Sequence, residues 1–223
     1  MHPVLALLTF ILTTLAFIGG FLFVMFRLIS QLIFGSDTKI WKSTLEKVRR
    51  HLKKVPVKGL VPWDHEMIGL LSLNRSAMKK PGFFNLAYSG IINSIYQEEA
   101  IAYAGIRTGK TGVLVAQTSD REFIFRQKEK ETEIWVNNQP FGLYINGTLL
   151  SAGRQARAVG RLETQYGERQ FPVLLGDKTA AAISNPELNG KSSPNPRAIT
   201  LLRDLNPDEE NALLAMTLLQ IIR

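Results

Sequence analysis

Apolar residues follow four different rhythms along the chain, and each predicts a different element. From Val4 to Met25 they run without a charged residue, interrupted only by the hydroxyls of Thr9, Thr13 and Thr14. At about 1.5 Å per residue, a helix of that length reaches across a hydrocarbon core of about 30 Å. Over Thr38–Val55 the spacing turns amphipathic, with Ile40, Trp41, Leu45, Val48, Leu52 and Val55 on one face of a helical wheel. From Ile68 to Ser184 the apolar runs are short and broken by Gly, Asn, Asp and Pro, the pattern of strands and tight turns. The last rhythm is an almost unbroken apolar block, Ala212–Ile222, that leaves no face for water.

The first rhythm predicts an uncleaved transmembrane anchor over residues 1–35. The run is long for a signal peptide, is not preceded by Lys or Arg, and is not closed by an Ala-x-Ala pattern. Between Asp37 and Lys58 eight Lys and Arg face only Asp37 and Glu46, a net +6. Such asymmetry predicts a single-pass membrane protein with its N-terminus outside and the remaining chain cytoplasmic. Residues 36–62 then read as a basic juxtamembrane helix, capped by Asp37, and a stiff linker through Pro56 and Pro62.

Residues 63–223 are enough for one domain with a sizeable core. Eleven strands are predicted within it, at 68–73, 83–89, 94–103, 112–118, 122–127, 133–136, 141–145, 148–151, 155–163, 170–175 and 179–184. Asn146-Gly147 is a strong hairpin signal, because both central positions of the turn need positive φ. Many short, evenly spaced strands argue for a closed barrel or a sandwich. Asn206 then caps a helix, Pro207 suits its first position, and Asp208, Glu209 and Glu210 meet the positive end of its dipole. The apolar block that follows is too short to cross a membrane, so the helix at 207–223 is expected to be buried among the strands.

Charge narrows the function. The chain carries +8, which invites a nucleic-acid reading, yet only +1 remains for residues 59–223 once the neck and Arg27 are set aside. Nucleic acid is therefore not an expected partner. The neck cations Lys42, Arg49, Arg50, Lys53 and Lys54 are the expected lipid-binding residues, facing the phosphates of an anionic membrane surface. The competing reading packs the apolar side of that helix onto the following domain and leaves the cations solvated.

Little suggests catalysis. The chain has no Cys, hence no thiol nucleophile and no thiolate metal site. His65, in Trp63-Asp64-His65-Glu66, is the one His of the domain and has no partner at a metal-binding spacing. Gly105–Gly112 contains Gly-Lys-Thr but misses the phosphate-loop spacing and is flanked by strands, so it reads as a turn. Arg154 and Arg157 in the stretch Ser151–Arg157, with Arg161 and Arg169, form the most basic part of the domain and read as solvated strand charges or a phosphate patch. No cofactor or metal is expected, and the protein is expected not to be an enzyme.

A strand-rich domain ending in Asp208-Glu209-Glu210-Asn211-Ala212-Leu213-Leu214-Ala215-Met216 resembles the tubby-like barrel superfamily over residues 65–223. That group includes the phospholipid scramblases and the LURP-one-related proteins. The resemblance implies a closed antiparallel β-barrel of about a dozen strands around an apolar C-terminal helix. Together with the anchor, the expected fold is an N-terminal transmembrane α-helix plus this mainly-β domain. The expected function is a membrane-anchored, non-enzymatic module that binds anionic phospholipid headgroups. The alternative is an interaction or assembly subunit that docks a protein partner through the barrel. The resemblance carries no lipid or calcium site over to a numbered residue.

Overall fold

The computed structural model describes residues 40–82, 85–153, 155–189 and 194–222. The chain divides after Thr44, and everything from Leu45 onward belongs to one compact unit. Of the preceding unit, residues 40–44 are described, and they are helical.

The expectation of a single-pass membrane protein, with a cytoplasmic domain behind a transmembrane helix, is corrected here. Among the described residues no helix is long and apolar enough to cross a membrane. The most apolar of them has 15 residues, about 22 Å at 1.5 Å per residue. The stretch Val4–Met25 lies outside the described residues. What the structure supports is a nearly closed antiparallel β-barrel with a C-terminal helix.

Helix α1 (40–52) leads into the second unit. After the linker a single turn, α2 (Met67–Leu70), opens the barrel. The strands are β1 (Leu71–Pro81), β2 (Leu86–Ser94), β3 (Glu99–Thr108), β4 (Thr111–Gln117), β5 (Glu122–Lys128) and β6 (Glu131–Val136). They continue as β7 (Gln139–Ile145), β8 (Thr148–Ser151), β9 (Ala158–Leu162), β10 (Gln170–Leu175), β11 (Lys178–Ser184) and β12 (Ile199–Leu201). A short α3 (Pro186–Asn189) lies before β12, and α4 (Pro207–Ile221) ends the fold. Each strand pairs with its neighbour in sequence, giving a 12-stranded antiparallel meander. The ends meet where Ser72 bridges Arg197, with Ala198 N–H donating to Leu71 and Leu73 N–H to Pro196. The closure covers only the first residues of β1.

The apolar block is enclosed, as its composition requires. Residues Ala212–Ala215, Met216 and Leu218 of α4 are fully buried and join Ile92, Ile101, Tyr103, Leu114, Phe123, Phe125 and Ile134 in one core. Thr217 is satisfied within the helix by donating to Leu213 O at 2.8 Å. The N-terminus forms a capping box: Glu209 N–H donates to the Asn206 side chain at 2.9 Å, and Asn206 N–H to the Glu209 carboxylate at 3.1 Å.

A second set of buried residues lies on the opposite side of the sheet. Successive strand side chains alternate between faces, so Ala102 and Ala104 of β3, Val113 and Val115 of β4 and Ile124 of β5 point away from α4. All are buried. The residues available to cover that face are Val48, Leu52 and Val55, themselves 0%, 7% and 7% exposed. Strands β3 and β4 therefore read as continuous apolar runs because both of their faces are covered.

Candidate functional site

The meander gives the barrel two ends with different residents. Turns β3–β4, β5–β6 and β7–β8 gather at one end, together with the C-terminal part of α4. Turns β2–β3, β4–β5 and β6–β7 gather at the other, where α4 begins. At Asn146-Gly147 the β7–β8 turn has φ of 47° and 83°, the positive values expected of that pair.

The α4 N-terminal end is rich in hydrogen bonds, with Arg203 Nε the buried side-chain atom left without a partner among the described residues. Glu210, 5% exposed, accepts from Trp63 Nε1 at 2.8 Å and pairs with Arg121 at 3.0 Å. His65 Nδ1 lies 3.3 Å from its other oxygen. Arg121 also donates to Asn211 Oδ1 at 2.8 Å and Asp120 Oδ2 at 2.9 Å, and stacks over the Trp63 ring at 5.7 Å. A buried carboxylate held by an indole, a guanidinium and an imidazole ties the linker and the β4–β5 turn to the start of α4. His65 is thus half-exposed beside a carboxylate at a structural junction. Among the described residues no group of three His, Asp or Glu is arranged to hold a metal.

The neck cations fall into separate environments. Lys42 lies in the preceding unit and is exposed. Arg49 reaches β5: its Nε donates to Glu122 at 3.0 Å, its NH2 pairs with the same carboxylate, and it also donates to Asn138 at 2.6 Å. The carboxylate hydrogen bond raises the Arg49 pKa above its ordinary value, against a smaller opposing effect of burial. Arg50, Lys53 and Lys54 are exposed. In the barrel, Arg157, Arg161 and Arg169 are exposed too, and Arg154 lies outside the described residues.

Lys54 meets a second basic segment that the sequence reading passed over. A cavity of about 140 Å³ is lined by His51 and Lys54 from the neck, Met78 and Lys80 from β1, and Tyr88 and Ser89 from β2. That is several times the ~30 Å³ of one liquid water. Neither contributing segment holds a carboxylate: residues 47–63 carry six Lys and Arg and no acid, and residues 67–97 carry Arg75, Lys79 and Lys80 and no acid. Burial pushes the Tyr88 phenol up to about 12, with the Arg107 charge pulling the other way. The Tyr88 side chain belongs to the inner face of the barrel, on the same side as Tyr103, while its neighbour Ser89 lies on the outer face. The Tyr88 ring occupies the space above Gly105 on β3, where any Cβ would stand 2.3 Å from the ring. The signal for this cleft was present as Lys80 inside an acid-free window.

Beside it, the open end holds two larger cavities, of about 540 and 670 Å³, which share Thr164 and Gln220. The first is lined by hairpin-turn residues of both charge signs and includes Arg107. The second has an apolar wall containing Tyr166, Phe171, Leu188 and Ile221. Gln220 is the only amide in the apolar block and is 9% exposed.

In comparison with known proteins, the chain matches no protein-family model, no curated protein and no solved structure.

Proposed function

We propose that this protein is a non-catalytic barrel module that binds phosphate groups of an anionic ligand, foremost an anionic phospholipid headgroup. The binding place is the cleft between the neck and β1–β2. Lys54 and Lys80 supply charge, and the Ser89 hydroxyl and the His51 ring supply hydrogen bonds. The observation that carries this reading is the meeting of two carboxylate-free basic segments at one cavity. Arg49, engaged with Glu122, serves to hold the neck on the barrel, leaving Arg50, Lys53 and Lys54 as the cations turned to a ligand. Because Val48, Leu52 and Val55 of the neck are buried, recognition there is by charge and hydrogen bonding and not by insertion of those side chains into acyl chains. The barrel around a central helix also supports membership of the tubby-like superfamily, in which a headgroup-binding role has precedent.

Flotation of the full chain with phosphatidylserine or phosphatidylcholine vesicles across a salt series tests the proposal. Salt-sensitive binding to the anionic vesicles is expected, with Lys54→Glu/Lys80→Glu weakening it at least about tenfold, since each cation near such a surface is worth about 1 kcal/mol. Equal binding by the double variant would remove the cleft. Competition by soluble inositol hexakisphosphate separates a phosphate site from a surface that needs a bilayer.

A second reading has its own observation. Residues 75–81 of β1 are exposed and, among the described residues, pair only with β2. A partner strand adding along that edge would make the protein an assembly subunit.

A further inference from the structure

We infer that the open edge of β1 docks an acidic, extended segment of a partner protein, which adds beside it as a further strand. The inference rests on the strand-addition reading above and names the partner's chemistry. Closure of the barrel reaches only the start of β1, through the Ser72–Arg197 bridge and the hydrogen bonds of Leu71 and Leu73. Beyond it, Arg75–Pro81 pair with β2 on one side and, among the described residues, with no strand on the other. Alternate backbone N–H and C=O groups of such an edge point outward and are a template for another chain. At about 3.3 Å per residue the edge is about 23 Å long, the reach of an ordinary strand. Space lies beside it. The cavity of about 670 Å³ that Arg75 borders is walled by Phe171 of β10 and Leu188 of α3 and by no residue of β2, which places it on the unpaired side.

Side-chain parity sets the charge of the occupant. Cross-strand partners share a face. Arg75 lies opposite Ile92 and Lys79 opposite Tyr88, on the inner side, while Lys80 lies opposite Ala87, on the outer side. An added strand therefore meets cations on both of its faces, and β1 and β2 contribute no carboxylate. A second copy of the chain is the wrong occupant. Two β1 edges laid antiparallel set Arg75, Lys79 and Lys80 of one against the same cations of the other, and like charges so opposed destabilise a sheet. The repulsion that turns away a copy selects a strand rich in Asp or Glu.

The test is fluorescence anisotropy of the full chain with three labelled peptides at about 0.15 M salt. They are Thr-Glu-Val-Glu-Val-Glu-Thr, its counterpart with Lys in place of Glu, and the acidic peptide methylated at every backbone nitrogen. The acidic peptide is expected to bind and to slow amide exchange in residues 75–81, with affinity at least about tenfold weaker for each of the others. A lysine peptide that binds as well as the acidic one, with loss on methylation, would overturn the acidic partner and leave strand addition standing. Equal binding of the methylated peptide, or protection confined to other residues, would overturn strand addition itself. Absence of binding by all three would overturn both. A dimer of the unaltered chain in light scattering, dispersed by the acidic peptide, would make a second copy the occupant and contradict the inference.

Discussion

The two ends of the barrel use buried polar groups in opposite ways. At the start of α4, Glu210 is surrounded by Trp63, Arg121 and His65. At its finish, Gln220 borders two cavities. One helix therefore carries a carboxylate engaged with protein groups at one end and an amide bordering two cavities at the other, ten residues apart in sequence. The contrast separates a packed end from an open one. A satisfied network in a dry site rigidifies, whereas a polar group beside a roomy cavity is within reach of water.

The largest effect should come from breaking the satisfied end. Glu210→Ala takes from Arg121 its buried carboxylate partner and from the Trp63 indole its acceptor, and is expected to cost about 3–5 kcal/mol in urea unfolding. A cost below about 1 kcal/mol would mean the network is not a strut of the fold. Next comes the outer face. Leu52→Ala removes a buried side chain between neck and barrel and should cost about 2–4 kcal/mol, with the neck becoming more susceptible to proteolysis. A neck as resistant as in the unaltered chain would argue against that packing. At the open end the effect is small: Gln220→Leu should change stability by less than about 1 kcal/mol, since the amide borders cavities and the change strands no hydrogen-bond partner. A destabilised variant would mean the amide is structurally engaged.

The smallest effect is one of pH at the α4 N-terminal end. Hydrogen bonding from Arg203, whose guanidinium lies 2.6 Å away, holds the Glu209 carboxyl below its ordinary value of 4.5, with help from Asn206 N–H and opposed by burial. A depressed carboxyl pKa contributes stability above the unfolded value. That contribution declines as pH falls below about 4.5 and is lost once pH passes the folded pKa. Both side chains are partly exposed, so the effect is modest. In Arg203→Gln the acid limb of the melting-temperature profile should flatten, and an unchanged limb would rule out this pair as its source.

Much of the barrel was legible because turn chemistry is local. The strand expected at 112–118 is β4, that at 122–127 is β5, and those at 133–136 and 148–151 coincide with β6 and β8 to within two residues. Other boundaries moved. Residues 68–70 are helical, and β1 runs on to Pro81. The stretch at 94–103 is split by the turn at 95–98, so β2 ends at Ser94. Strand β12 has three residues and no alternation to read. Closure at Ser72 and Arg197 joins positions far apart in sequence that no local pattern links. The buried C-terminal helix was readable from composition alone, because an element apolar on every side has nowhere else to go.

The site was less legible. An amphipathic helix looks the same whether its apolar face meets a membrane or a protein. The deciding signal lay elsewhere, in the unbroken apolar runs of β3 and β4, which mark strands covered on both faces. Likewise, the net charge near zero over 59–223 averaged away Lys80, which matters because it lines one cleft with Lys54. Gln220 was visible as a lone amide in an apolar block, and its position at the mouth required the fold.

The account's central claim is that phosphate recognition lies beside the open end and that the α4 N-terminal end takes no part in it. Hydrogen–deuterium exchange of the full chain with and without inositol hexakisphosphate tests this directly. The predicted result is added protection in residues 50–54 and 78–89, with 118–122 and 206–212 unchanged. Protection confined to the turns around Glu210, or absent from both regions, would contradict it.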